Sequence, residues 1–215
     1  MLKHIRSPLR AFALTLLVLA APVACAQGYT EGTHYKALKP AQPTSVAPGK
    51  IEVVEVFWYA CAHCFAIEPA FESWEKKGKP ANVEVVRVPA TWNDMLKTHA
   101  RVFYTAELLG KLPQLHAEIF REINVRGDHL DTPETIEAFF TSHGVSKADF
   151  QKVFSSFGVE SKVRRAEELN KGYRITGTPT FVVNGKYVTD VRMAGSEENL
   201  FKVLNQLASS EKPGA

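Results

Sequence analysis

Cysteine is scarce in this chain, with three residues among 215. One of them, Cys25, falls in an N-terminal stretch that reads as a leader, and the other two, Cys61 and Cys64, lie three residues apart. So short a loop restrains the unfolded chain weakly, and no other cysteine remains to brace the architecture. Metal-ligand spacing is missing too. No second Cys-x-x-Cys is present, and His99, His116, His129 and His143 are scattered, so no metal is expected and these histidines read as structural or surface residues. Charge of one sign is the third absence. The basic excess of +3 is carried entirely by Lys3, Arg6 and Arg10, and without those three the 26 Lys plus Arg fall to 23, matching 23 acidic residues. That balance gives no ground for a nucleic acid or an anionic membrane as partner.

A long apolar run is lacking as well. The stretch at residues 11–21 is shorter than the roughly 20 residues that span a bilayer, and Pro22 interrupts its end. With the basic residues ahead of it and Ala24-Cys25-Ala26 behind, it reads as a secretory signal over residues 1–26, leaving Gln27 first in the mature chain. Lipidation at Cys25 is the second reading, ranked lower because Pro22 stands where such signals carry a Leu-like residue. An exported chain whose remaining cysteines are a single close pair uses that pair on something else.

The pair sits at a change of period. Residues 51–56 are rich in Val and follow Pro48-Gly49, the pattern of a strand buried on both faces. From Cys61 onward Cys64, Ile67, Phe71 and Trp74 recur at helical spacing, leaving Glu68, Glu72, Lys76 and Lys77 for other faces, and Pro69 is expected to kink the helix. Cys61 therefore stands at a helix N-terminus, where unpaired N–H groups and the dipole favour a thiolate, with His63 able to add charge. Cys64 opens the apolar stripe and should be shielded. Such asymmetry suits thiol–disulfide exchange.

Elsewhere the reading gives a short strand near His34 to Leu38, a Pro-rich linker, and a second strand from Val83 to Val88. Helices follow: Met95 to Leu109, Leu112 to Ile123, one opened by Thr132-Pro133, one from Ser146 through Phe157 to Gly158, and one through Val163 and Leu169. The Phe residues there read as core. Asn184-Gly185 joins two strands in a hairpin, and Ser196 starts a last helix.

This β–α–β then β–β–α order, with Cys-x-x-Cys at the first helix and Gly177-Thr178-Pro179 before the hairpin, is similar to the thioredoxin fold. The helical insert, the leader and Phe181-Val182-Val183-Asn184-Gly185-Lys186-Tyr187 narrow it, and the chain resembles the DsbA family over nearly the whole mature length. The resemblance implies an α/β fold with a thioredoxin-like domain over 27–92 and 173–215 and an inserted helical domain over 93–172. It implies a periplasmic disulfide oxidase, monomeric, that needs no cofactor beyond a Cys61–Cys64 disulfide, acts on exported proteins, and is reoxidised by a membrane partner of the DsbB type. Cys61 would attack and Cys64 resolve, with His63 at the family's usual histidine and Thr178-Pro179 at its cis-proline. Glu55 matches a buried acid, either a proton relay or a plain ion pair with Arg87. The sequence departs from the family at Ala62, commonly Pro, and at Thr178, often Val, which bears on oxidising strength and substrate range. Two other functions compete: a reductase or isomerase, and a peptide-binding module for which Phe57, Trp58 and Tyr59 supply an apolar surface.

Overall fold

Seven residues, Ile51–Phe57, form the central strand β2, and all seven are buried. In the computed structural model, which describes residues 28–211, β2 pairs in parallel with β3 (Val83–Pro89) and antiparallel with β4 (Thr180–Val183). The expected leader, residues 1–26 with Cys25, lies outside the described residues. β5 (Tyr187–Thr189) and the two-residue β1 (Lys36–Ala37) complete a five-stranded sheet of order β1-β5-β4-β2-β3. The β4–β5 turn needs left-handed backbone at both central positions, and Asn184 and Gly185 supply φ of 51° and 63°. Only glycine fits the second, because a Cβ there would lie 2.0 Å from the Gln42 carbonyl oxygen.

Alternation along β2 divides the core in two. Ile51 and Val53 face Phe71 and Trp74 of α1 (Ala62–Lys77) and Leu200, Val203 and Leu204 of α8 (Glu197–Ser210). Val54 and Val56 face the cluster built by the helices between β3 and β4. Those are α2 (Asp94–Leu108), α3 (Leu112–Arg121), α4 (Pro133–Ser142), α5 (Lys147–Phe154) and α6 (Phe157–Gly172). Truncating a fully buried ring such as Phe57 or Phe181 to Ala would cost about 3–5 kcal/mol.

Several helix ends follow the residues that cap them. Asn93, Thr132, Ser146 and Ser196 each accept a hydrogen bond from an amide of the first turn. α1 runs on through Pro69 to Lys77, ending at Gly78. Four features differ from the sequence reading. The boundary between α5 and α6 falls before Phe157 and not at Gly158, because Ser156 caps α6 by accepting from the Val159 amide. Phe157 therefore opens α6 instead of closing α5, and it is 77% exposed under the Arg164 guanidinium, not core. A π-helical turn, Glu122–Arg126, extends α3, and a four-residue helix, α7 (Val191–Ala194), follows β5. Among the described residues no helix is long and apolar enough to cross a membrane.

The topology gathers one edge. β2 and β3 both end there, and antiparallel β4 begins there, while the Ala90 amide donates to the Phe57 carbonyl at 2.8 Å. Helix α1 starts from this edge and the Gly177-Thr178-Pro179 loop enters it.

Candidate active site

Cys61 is the N-cap of α1. Its backbone is extended (φ −86°, ψ 111°) and its sulfur accepts from the Cys64 amide at 3.3 Å. Both cysteines are free thiols; Cys61 is half-buried and Cys64 fully buried. The Cys61 thiol is lowered to about 5. Hydrogen bonding from the Cys64 thiol contributes most, burial opposes it, and the Thr178 side chain and the amides of Cys64 and His63 add to the lowering. Cys64 goes the other way. Burial raises it, and its bond to Cys61 and that residue's charge raise it further. A sulfur that ionises readily and a neighbour that holds its proton are thus three residues apart.

His63 reaches this pair through its backbone N–H, and its side chain is exposed, as is Ala62. Thr178 lies across from Cys61, its carbonyl oxygen accepting from the Cys61 thiol at 3.4 Å. The Thr178–Pro179 peptide is cis, as the sequence leads one to expect. His63, Thr176, Thr178 and Pro179 border a cleft of about 570 Å³ that Asp190 and Arg192 also line.

Glu55 is fully buried, with both carboxylate oxygens lacking a hydrogen-bond partner. It lies opposite Arg87 in the β2–β3 ladder, Oε2 being 3.4 Å from Arg87 Nε. Arg87 is not its alone. Its Nη2 donates to Glu68 at 3.0 Å and its Nη1 to Glu75 at 2.9 Å. Burial raises Glu55 well above the ordinary carboxylate value, and the nearby Glu68 charge raises it further, while Arg87 pulls down. Glu68 ends below its ordinary value, because hydrogen bonding from His116 and the charge of Arg87 outweigh its burial. The acid expected on an outer face of α1 is in fact buried. Its position four residues after Cys64, within the apolar stripe, was the available signal.

The Phe57-Trp58-Tyr59 triplet does not form an apolar surface. Phe57 and Tyr59 are fully buried, because both faces of β2 are covered; Phe57 packs edge-on against Phe103 and His116. It is a core residue, not a substrate contact. Trp58 is half-buried, and its indole N–H donates to His99 Nδ1 at 2.9 Å, while His99 Nε2 lies 2.9 Å from the His129 carbonyl. Tyr59 hydroxyl and His116 Nδ1 are 2.8 Å apart. These histidine partnerships could not be read from spacing. No group of three or more His, Cys, Asp or Glu side chains is placed to hold a metal ion among the described residues.

A family model described as DSBA-like thioredoxin domain matches residues 85–207. The chain is also 40% identical, over 190 residues, to the thiol:disulfide interchange protein DsbA of Pseudomonas syringae pv. tomato, covering 88% of each. The chain belongs to the DsbA family. The family-model match starts beyond the cysteines, but a likeness over 88% of a 215-residue chain necessarily includes Cys61 and Cys64. DsbA of Pseudomonas aeruginosa is 38% identical over 202 residues, 94% of this chain and 95% of that one. A crystal structure of a glutamate-to-isoleucine variant of Pseudomonas aeruginosa DsbA superposes with a TM-score of 0.81 at 39% identity, covering 84% of this chain and 97% of that one. The oxidoreductase DsbA of Xylella fastidiosa gives 0.77 at 28% identity, covering 84% and 96%. As a DsbA relative with the thioredoxin-like fold, the chain is a thiol:disulfide oxidoreductase.

Proposed function

We propose that the chain donates a Cys61–Cys64 disulfide to other polypeptides. A substrate thiolate attacks Cys61 Sγ, forming a mixed disulfide, and Cys64 leaves and takes up a proton. A second substrate thiolate then attacks the substrate sulfur, and Cys61 leaves as a thiolate. Two electrons pass from the substrate dithiol to the cysteine pair, and the substrate keeps the new disulfide. The observation that carries this direction is the lowering of Cys61 to about 5 beside a Cys64 that holds its proton. A stable Cys61 thiolate is a good leaving group and favours the reduced enzyme, which is what an oxidant needs.

The other positions take roles from this scheme. Thr178 and the cis-Pro179 face Cys61 and offer backbone to an extended substrate. His63 and Ala62, exposed between the cysteines, tune the pair, as does Trp58 beneath it. Glu55, whose carboxyl burial raises well above its ordinary value, serves as a proton relay for Cys64. The chain works as a monomer in the periplasm on exported proteins, after removal of residues 1–26, and a membrane protein of the DsbB type restores the disulfide. Residues 93–172 form an inserted helical domain. No cofactor other than the disulfide takes part.

Titration of the oxidised fraction across glutathione ratios tests the direction. An oxidase stays reduced until the buffer is strongly oxidising; a potential near those of cytosolic reductants would make the chain a reductase instead. Cys61→Ser should abolish mixed disulfides, and Cys64→Ser should trap them.

A further inference from the structure

Two asparagines tie the helices between β3 and β4 to the ends of the parallel strands. Asn124 Nδ2 donates to the Tyr59 carbonyl at 2.7 Å and to the Phe120 carbonyl at 2.8 Å. Asn170 Nδ2 donates to the carbonyls of Pro89 at 3.2 Å and Ala166 at 2.7 Å. In each case one acceptor lies four residues back along the chain and the other at a strand end, Pro89 closing β3 and Tyr59 standing just beyond β2. Two carbonyl acceptors require the amide nitrogen, so both side chains have a fixed orientation. Their settings differ. Asn124 lies in the π-helical turn Glu122–Arg126, and such turns are rare and frequent at functional sites.

The Tyr59 carbonyl belongs to the turn that presents Cys61. Residues 58–61 form a turn closed by the Cys61 amide, which donates to the Trp58 carbonyl at 3.0 Å. Its central peptide joins Tyr59 to Ala60. Flipping that peptide converts a type I turn into a type II turn, which needs a positive φ at Ala60, and Ala60 is not among the residues that adopt one. Asn124 therefore fixes the peptide group on which the turn type depends, one residue ahead of Cys61. His99 on Trp58 and His116 on Tyr59 grip the same turn by its side chains, whereas Asn124 grips its backbone. The Cys61 sulfur meets the Cys64 amide at 3.3 Å, and such a bond weakens steeply with misalignment, so the angle at which the turn delivers Cys61 counts.

Resting on the reading of Cys61–Cys64 as the exchange centre, we propose that Asn124 is a positioning residue for Cys61. By holding the Tyr59–Ala60 peptide it keeps the N-cap geometry in which the Cys61 sulfur accepts from the Cys64 amide. Without that clamp the turn can rock, and a sulfur that strays from the amide is a less stable thiolate, hence a poorer leaving group and a weaker oxidant. In the oxidised pair the sulfur carries no charge for the amide to hold. The effect therefore falls on the reduced state and shifts the balance between the two states, beyond any general loss of stability. Asn170 makes the same kind of double bond at the end of β3, a strand that leads to no cysteine.

The test sets Asn124→Leu against Asn170→Leu. Each removes one amide of the same connectivity, so a purely structural role predicts equal consequences. Both should lower the denaturant midpoint. Only Asn124→Leu should raise the midpoint of the Cys61 thiolate absorbance, by about half to one unit, and shift the glutathione equilibrium about three- to tenfold toward the disulfide, the size of one hydrogen bond. Asn124 is half-buried, and Asn124→Ala opens room for water at the freed carbonyls. That variant keeps the fold and should move both readings in the same direction. Unmoved readings in both Asn124 variants overturn the proposal, and so does an equal shift in Asn170→Leu. A wild-type potential near those of cytosolic reductants overturns the disulfide-donor reading instead, and a shift confined to the Asn124 variants then stands by itself.

Discussion

The Cys64 amide donates to the Cys61 sulfur across one helical turn, at 3.3 Å. The bond uses an N–H that the start of α1 would otherwise leave unpaired, and it strengthens when the sulfur is charged. Alkylation of the reduced protein should therefore modify Cys61 alone, with a midpoint near pH 5. Mass spectrometry that finds Cys64 labelled equally would reverse the assignment of roles.

The Thr178 side chain helps to hold the Cys61 thiolate. Thr178→Val should raise the Cys61 midpoint by about one unit, the worth of a charge-assisted hydrogen bond at a half-exposed site. Thr178→Ser should restore it. Thiolate absorbance against pH reads both, and equal midpoints for Val and Ser would refute the role.

A lowered folded pKa has a definite sign in stability. In the reduced protein the Cys61 contribution is complete above the unfolded thiol value of about 8.5, and it is lost as pH falls through about 5. Cys64 acts oppositely, weakening the fold only above about 8.5, where the unfolded thiol ionises and the buried one does not. The reduced form should therefore be the more stable one at pH 7, by on the order of 1–2 kcal/mol after allowance for solvent screening. The gap should close toward pH 5. Parallel melts with and without reductant measure it, and an oxidised form that melts higher at pH 7 contradicts the prediction.

Arg87 bonds to Glu68 and Glu75, and Glu55 lies beside it without a hydrogen bond. Glu55→Gln should therefore leave the Arg87 bonds to Glu68 and Glu75 in place and cost little, and it should raise stability as pH climbs, since a carboxyl with a raised folded pKa weakens the fold once it must ionise. Arg87→Leu strands three acids and should cost about 3–5 kcal/mol. Denaturant melts of the two at pH 8 separate them; equal losses would mean that Glu55 is needed as a charged partner.

His99 accepts the Trp58 N–H only while neutral, and burial lowers its pKa. The neutral form supports the fold above about pH 6.5, and that support is lost as pH falls toward the folded value. Trp58 fluorescence should change over this range in wild type and stay flat in His99→Leu, which should itself cost about 1–3 kcal/mol by leaving the indole unpaired.

Local signals made much of this legible. The Val-rich strand, the Cys61 cap, Thr132-Pro133 and Asn184-Gly185 act within a few residues, so the sequence displays them. Glu55 and Arg87 could be paired because adjacent strands share a register. The rest depends on what folds over what. Glu68 of α1 meets a guanidinium from β3, and Trp58 meets a histidine 41 residues away. The sequence points to Gly158 as the boundary between α5 and α6, but the Ser156 cap sets it two residues earlier.

Cys61 and Thr178 are 117 residues apart, and β4, which carries the loop between them, is among the last strands to be made. A chain that emerges N-terminus first presents its thiols long before their surroundings exist. During that interval Cys61 lacks its contact with Thr178. The share of its acidity that comes from Cys64 and the first amides of α1 is available as soon as that helix forms, and the share that comes from Thr178 arrives only when β4 docks on β2.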